Sequence, residues 1–215
     1  MAENKTLPVG CVIMASGLST RFGSNKLLTP FGPGREPMLR RAFAATDTPL
    51  LASRVVVARS PEVETLCREV SVPCLLHALP GRNDTVRLGL EALLAERPDL
   101  AGCMFLPGDQ PLLQRESVES LLRAFAEHLR TQKETERMIF RLAYRAKDDP
   151  TPLVGSPVLF DSGYFPALRT LPEGKGGSFL LRQYPEQVHC FYTAHHEELW
   201  DADTPEALQK LEAML

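Results

Sequence analysis

Three apolar runs mark the first half of the chain, "VGCVIM" (9–14), "RVVVAR" (54–59) and "CMFLPG" (103–108). Each is rich in Val, Ile or Phe and bounded by Gly, Pro or charge, the pattern of strands buried on both faces. A weaker fourth run is "VPCLLH" (72–77). Between the runs the period changes. Segments 37–46, 61–70, 85–97 and 115–130 repeat apolar residues every three or four positions. In the last of them Val118, Leu121, Leu122, Phe125 and Leu129 form one apolar face of a helix. The segment "MIFRLAY" (138–144) reads as another strand, and 151–185 is rich in Pro and Gly, which predicts irregular loops. The final "TPEALQKLEAML" opens with Thr204 and Pro205 and carries Leu208, Leu211 and Leu215, a capped helix with Pro at its first position. Strand and helix in alternation predict an α/β domain with a mostly parallel sheet flanked by helices. One domain over 1–215 is expected, with a less regular subregion at 131–195.

Composition narrows the function. The hydrophobic fraction is 44%, the charged fraction 24% and the net charge −3. An acidic balance of that kind excludes binding to long nucleic acid as the main role, yet leaves room for a small anion held by a few local cations. No apolar run approaches the ~20 residues of a membrane span, and "MAENKTLPVG" lacks the regions of a signal peptide. The five cysteines form no CxxC pair. Cys11, Cys67 and Cys103 lie in apolar or helix-like surroundings, so reduced buried thiols and a cytoplasmic location are expected.

In open α/β sheets, ligands bind beyond the carboxyl ends of the strands. The first such place is the loop 15–26, "ASGLSTRFGSNK". Gly17 and Gly23 permit close backbone approach, Arg21 offers a planar fork for phosphate oxygens and Lys26 a mobile point charge. The same residues also make a plain solvated turn. The loop fits neither G-x-x-x-x-G-K-[ST] nor G-x-G-x-x-G, so it is not an ordinary ATPase loop or a dinucleotide fingerprint. The second place is "FLPGDQPLL" (105–113), where Asp109 sits at a strand end as a Mg²⁺ ligand would, or as a turn residue capping the next helix. The third is "LWDADTPEAL" (199–208), with Asp201 and Asp203 as further ligands or as acids stabilised by a helix dipole. In "GRNDTVRLGL" (81–90), Asp84, Thr85 and Arg87 either cap a helix or meet a nucleotide. "GSPVLF" (155–160) and "EGKGGSFLL" (173–181), which holds Lys175 among glycines, complete the set of candidate loops. Adjacent His195 and His196 on a strand would face opposite ways, and no Ser-His-Asp or Cys-His spacing is readable.

Taken in order, A-S-G-x-S-x-R-x-G-x-x-K, G-D-Q-P, G-S-P-V-L-F and D-x-D-T-P-E resemble the MobA-like nucleotidyltransferases of molybdenum cofactor synthesis. The similarity is greatest to the molybdenum cofactor cytidylyltransferase branch and its relatives among molybdenum hydroxylase accessory proteins. It runs from about Val9 to the C-terminal helix. The resemblance implies a single-domain Rossmann-like fold that transfers CMP from CTP to the phosphate of a molybdopterin-type cofactor, releasing pyrophosphate. It implies that Ala15, Ser16 and Gly17 meet the nucleotide, that Arg21 and Lys26 hold the triphosphate, and that Thr85 and Arg87 line base and ribose. Mg²⁺ or Mn²⁺ would be held by Asp109 and Asp201, with Asp203 as the rival of Asp201. Arg21, Lys26 and Asp109 would carry the catalysis, "GSPVLF" would border the acceptor pocket, and a molybdenum hydroxylase would receive the product. Three departures stand out. Ser16 replaces the commoner Ala or Gly, Arg82–Thr85 replaces a Ser-rich run, and "EGKGGS" differs from an acidic "GDKGA" loop. They leave room for GTP as nucleotide, for another small phosphate as acceptor, and for a non-catalytic accessory protein that binds cofactor or nucleotide for insertion.

Overall fold

A computed structural model describes residues 7–17, 22–131 and 137–215. Arg21, one of the two expected triphosphate cations, lies outside the described residues. The strands are β1 (Val9–Ala15), β2 (Pro30–Phe31), β3 (Glu36–Pro37), β4 (Ser53–Ala58), β5 (Cys74–Leu76), β6 (Gly102–Pro107), β7 (Ile139–Tyr144), β8 (Leu153–Asp161) and β9 (Val188–Tyr192). The helices are α1 (Leu39–Ala45), α2 (Pro61–Glu69), α3 (Arg82–Glu96), α4 (Arg115–Thr131), α5 (Phe165–Arg169), α6 (Ser178–Gln183) and α7 (Pro205–Glu212).

Seven strands form one sheet in the order β5-β4-β1-β6-β8-β7-β9, and β2 and β3 form a separate two-stranded ribbon. The pairs β5–β4, β4–β1, β1–β6 and β7–β9 are parallel, while β8 runs antiparallel to both β6 and β7. β1 lies at the centre, with Met14 opposite Val57 on one side and Pro107 on the other. Its side chains alternate between two cores. Cys11, Ile13 and Ala15 join Leu39, Val63, Leu121, Phe125 and Leu208 from α1, α2, α4 and α7. Val12 joins Val55, Val57, Val86, Leu90, Leu168 and Leu180 on the opposite face, under α3, α5 and α6. The apolar runs that predicted buried strands are buried on both faces for this reason.

Helix ends follow local chemistry. The Ser60 hydroxyl accepts from Val63 N–H and the Thr204 hydroxyl from Ala207 N–H, with Pro61 and Pro205 opening α2 and α7. α3 starts at Arg82, three residues before the sequence pattern suggests, because Asp84 accepts from Gly81 N–H at 3.1 Å and closes the first turn. The five cysteines are free thiols, and Cys11, Cys67 and Cys103 are buried. Among the described residues no helix is long and apolar enough to cross a membrane.

The expected loops at 151–185 are the main correction. They hold the nine-residue β8, inserted between β6 and β7, together with α5 and α6. "GSPVLF" therefore lies within a strand. The β7–β8 register slips between Arg141 and Ala143, so 155–157 bulges from the ladder and leaves Pro157 unpaired to β7. The region 131–195 contributes β7, β8 and β9 to the same sheet, so it is part of the main body.

Two buried details generate predictions. Gly89 faces the sheet, where a Cβ would stand 2.5 Å from Val12 Cγ1 and 3.0 Å from Val57 Cγ2. Gly89→Val should destabilise the fold by about 1–3 kcal/mol through overpacking, seen as a lower urea midpoint at unchanged slope. Glu198 is fully buried and accepts from Gln114 N–H at 3.0 Å, from the Ser117 hydroxyl at 2.9 Å and from the Thr193 hydroxyl. Glu198→Ala leaves those donors unpaired and should lower the unfolding free energy by at least about 1–3 kcal/mol, the cost of one such buried group. Thermal melting of the purified variant measures it.

Candidate active site

β1 sits where the strand order turns back on itself, with β4 and β5 to one side and β6 to the other. Neighbouring loops splay apart at such a point and open a crevice. Because Met14 pairs with Pro107, the residues after β1 and β6 leave the sheet side by side. Gly108 N–H continues the contact to the Met14 carbonyl at 3.0 Å. A Cβ at 108 would lie 2.8 Å from Leu39 Cδ1, so glycine is what lets this strand end press against α1 before Asp109 emerges.

Lys26 opens a 3-10 turn, Lys26–Leu28, that Asn25 caps by accepting from Leu27 N–H at 3.2 Å. Leu27 is buried and anchors the turn in the core. From there the Lys26 ammonium reaches 2.5 Å from Asp109 Oδ2 and 2.9 Å from Asp203 Oδ1. The Lys26 and Asp109 side chains are only 12% and 18% exposed, so water screens this pair less than a surface pair. Burial alone would depress the Lys26 pKa. The charge and hydrogen bond of Asp109, with those of Asp203, outweigh burial and hold it above the usual lysine value.

The two C-terminal acids are placed by main chain. Ala202 N–H donates to the Asp109 carbonyl at 2.9 Å, and Ala202 itself is fully buried. Asp201 and Asp203 therefore flank an anchored residue, and both come to Asp109. Neither caps α7, a role that Thr204 holds, and Asp109 stands six residues before α4 instead of capping it. Asp201 keeps a solvent-facing side, yet its carboxyl pKa rises to about 6. The surrounding protein is the largest cause and the negative charge of Asp109 the next. A hydrogen bond from Gln110 opposes the rise, Asp203 adds to it, and Lys26 opposes it.

Asp109, Asp201 and Asp203 offer hard oxygen donors in a place with surplus negative charge, which suits Mg²⁺ or Mn²⁺ bound through one or two carboxylates and completed by phosphate and water. Gln110, 3% exposed, adds a buried side-chain oxygen with no hydrogen-bond donor among the described residues. No group of three or more His, Cys, Asp or Glu among the described residues is arranged as a metal cage. The donor set thus fits an ion that arrives with a phosphate ligand.

The other expected residues are placed less centrally. Ala15 ends β1 and is buried, and Ser16 and Gly17 follow it at the crevice. Thr85 is buried in α3. The Arg87 guanidinium is engaged by Asp84 at 3.4 Å and Glu91 at 3.2 Å on its own helix. The loop bearing Lys175 reaches this helix, where Gly174 N–H donates to Asn83 Oδ1 at 2.9 Å. His195 and His196 lie beyond β9 instead of on a strand, and both rings turn to Glu197, at 3.3 Å and 3.2 Å. The residue that sequence reasoning passes over is His77, whose Nε2 lies 2.9 Å from the Ser16 hydroxyl. Its only sequence signal is its place at the end of a weak strand.

Comparison with known proteins agrees with this frame. A Polynucleobacter asymbioticus 3-deoxy-manno-octulosonate cytidylyltransferase is 30% identical over 115 residues, 52% of this chain and 44% of the relative. The chain thus spans less than half the length of that curated relative. A Mycobacterium sp. strain JC1 homolog of Mycobacterium tuberculosis Rv0371c aligns with TM-score 0.73 at 23% identity, covering 96% of both chains. The CMP:2-keto-3-deoxy-manno-octonic acid synthetase complexed with CTP aligns with TM-score 0.72 at 16% identity, over 96% of this chain and 98% of that one. These likenesses establish the fold, a mostly parallel α/β sheet between helices. Residues 11–188 match the MobA-like NTP transferase domain, and the chain belongs to that family.

Proposed function

We propose that this chain transfers a nucleoside monophosphate, CMP from CTP, to the phosphate of a molybdopterin-type cofactor, with release of pyrophosphate. The observation that carries the reading is Lys26 set between Asp109 and Asp203 at the switch point, with Asp201 beside them. One cation among three acids, next to a glycine-bearing loop, is chemistry for a metal-bound triphosphate. Cytidine is favoured by the relatives, since one is a cytidylyltransferase and another fold neighbour was solved with CTP. The acceptor rests on the ordered motifs "GDQP", "GSPVLF" and "DADTPE", and a molybdenum hydroxylase would be the recipient.

In this reading the main chain of Ala15, Ser16 and Gly17 meets the nucleotide, and Arg21 and Lys26 would hold the triphosphate. An acceptor phosphate oxygen attacks the α-phosphorus in line as the bond from the α-phosphorus to the bridging oxygen breaks, and pyrophosphate departs. The protein contributes placement and charge neutralisation instead of a covalent intermediate. Asp109 with Asp201 would hold the divalent cation, Asp203 being the alternative to Asp201, and the ion would supply charge neutralisation on the phosphates.

Asp109→Ala and Lys26→Ala should each lower turnover by about 10²-fold or more, the scale of a lost transition-state charge partner. Pyrophosphate release by purified, folded variants measures it, and near-normal turnover in Asp109→Ala overturns the assignment. A melting screen with CTP, GTP, ATP and UTP plus Mg²⁺ should single out CTP. A ligand at 100 times its dissociation constant adds about 2.7 kcal/mol. A larger shift with GTP reassigns the base. Binding of CTP without pyrophosphate release in the presence of cofactor identifies an accessory carrier instead.

A further inference from the structure

His77 ties the first loop to the sheet from outside the family-like motifs. Its main-chain N–H donates to the Ala58 carbonyl at 3.0 Å, which extends the β4–β5 ladder by one step past Leu76. That fixes the residue at the carboxyl end of β5. Its ring then reaches across the end of β4 to Ser16, 61 residues away in sequence, where Nε2 lies 2.9 Å from Oγ. The same Ser16 hydroxyl lies 2.9 Å from the Val57 carbonyl.

Proton counting orders this chain of contacts. A serine hydroxyl has one hydrogen, and a carbonyl only accepts, so Ser16 donates to Val57. The Ser16 oxygen must then accept from His77, and the proton of the ring sits on Nε2. Nδ1 is buried with no hydrogen-bond partner among the described residues. A second proton there would be a buried, unpaired donor on a charged ring. The Arg59 charge also opposes it, while Asp84 acts the other way, and burial is the largest influence in keeping the ring neutral.

We propose that His77 is a positioning residue for nucleotide binding, acting through Ser16. This rests on the nucleotide site argued above. Ser16 is the first residue past the last β1–β4 pair, Ala15 with Ala58, so nothing in the ladder holds its orientation. Two hydrogen bonds on one hydroxyl do so instead, and they aim the loop's main chain at the crevice. An Ala or Gly at 16 would make neither bond. The Ser16–His77 pair orients the loop and does not touch the reacting phosphates, so it acts on affinity more than on the chemical step.

The test compares Ser16→Ala, His77→Ala, His77→Gln and the double alanine variant. His77→Ala should raise the CTP dissociation constant and KM by about three- to tenfold, the worth of one hydrogen bond, and Ser16→Ala, which loses two, by at least as much, with kcat within about twofold in both. The double variant should bind no more weakly than Ser16→Ala, which already lacks both bonds of the unit. His77→Gln should restore most of the affinity, because its amide donates to Ser16. Ring ¹⁵N shifts in wild type should report a neutral, Nε2-protonated His77. Unchanged CTP affinity in folded Ser16→Ala and His77→Ala, an additive double variant, or an Nδ1-protonated ring each overturns the proposal. If wild type binds no nucleotide at all, it is the transferase reading that fails, and the ring tautomer still reports on the Ser16 bond.

Discussion

β1 is covered on both faces and hydrogen-bonded on both edges, and this double burial governs the rest of the molecule. A strand so enclosed has no polar surface of its own, so its sequence is apolar from Val9 to Ala15 and its first solvent contact comes at its end. The chain must leave the sheet where β4 and β6 diverge. Whatever follows β1 is thereby set beside whatever follows β6, and both open into the same crevice. Gly108 sharpens this, since a Cβ there would stand 2.8 Å from Leu39 Cδ1 of α1.

Charge organises what the topology brings together. Lys26 serves Asp109 and Asp203 at once, and Asp201 stands next to them with a carboxyl whose ionised form is disfavoured by burial and by its acidic neighbours. Among the described residues, three acids around one lysine form a charge balance that an incoming divalent cation improves. The Ala202 contact to Asp109 makes the arrangement rigid, and Glu198, three residues before Asp201, fastens the same C-terminal stretch to the start of α4. The acids are therefore held by main chain and by a buried carboxylate, with Lys26 adding charge and not serving as the only tie.

The first loop is held by different means on its two sides. Toward Lys26, a capped turn and buried Leu27 provide the anchor. Toward Ser16, the anchor is a hydroxyl shared between Val57 and His77. Both flanks of the loop, Ser16 and Lys26, are thus fixed to the body of the protein by contacts of their own.

Local chemistry in the sequence was enough to determine the alternating elements, the cap at Thr204, the twofold burial of β1, β4 and β6, and Asp109 at a strand end. Each of these depends on neighbours within a few positions, where periodicity and capping operate. β8 escaped notice because Gly155 and Pro157 are poor strand residues, and only the bulge that removes 155–157 from the β7 ladder makes a strand possible there. Asp84 and Glu91, one turn away on either side, meet the Arg87 guanidinium, a pairing that helical spacing alone permits. That Asp203 and not Asp201 meets Lys26, and that His77 meets Ser16, were decided by tertiary structure alone. Those contacts join residues 177 and 61 positions apart, and no spacing along a chain encodes which strand ends a sheet will set side by side.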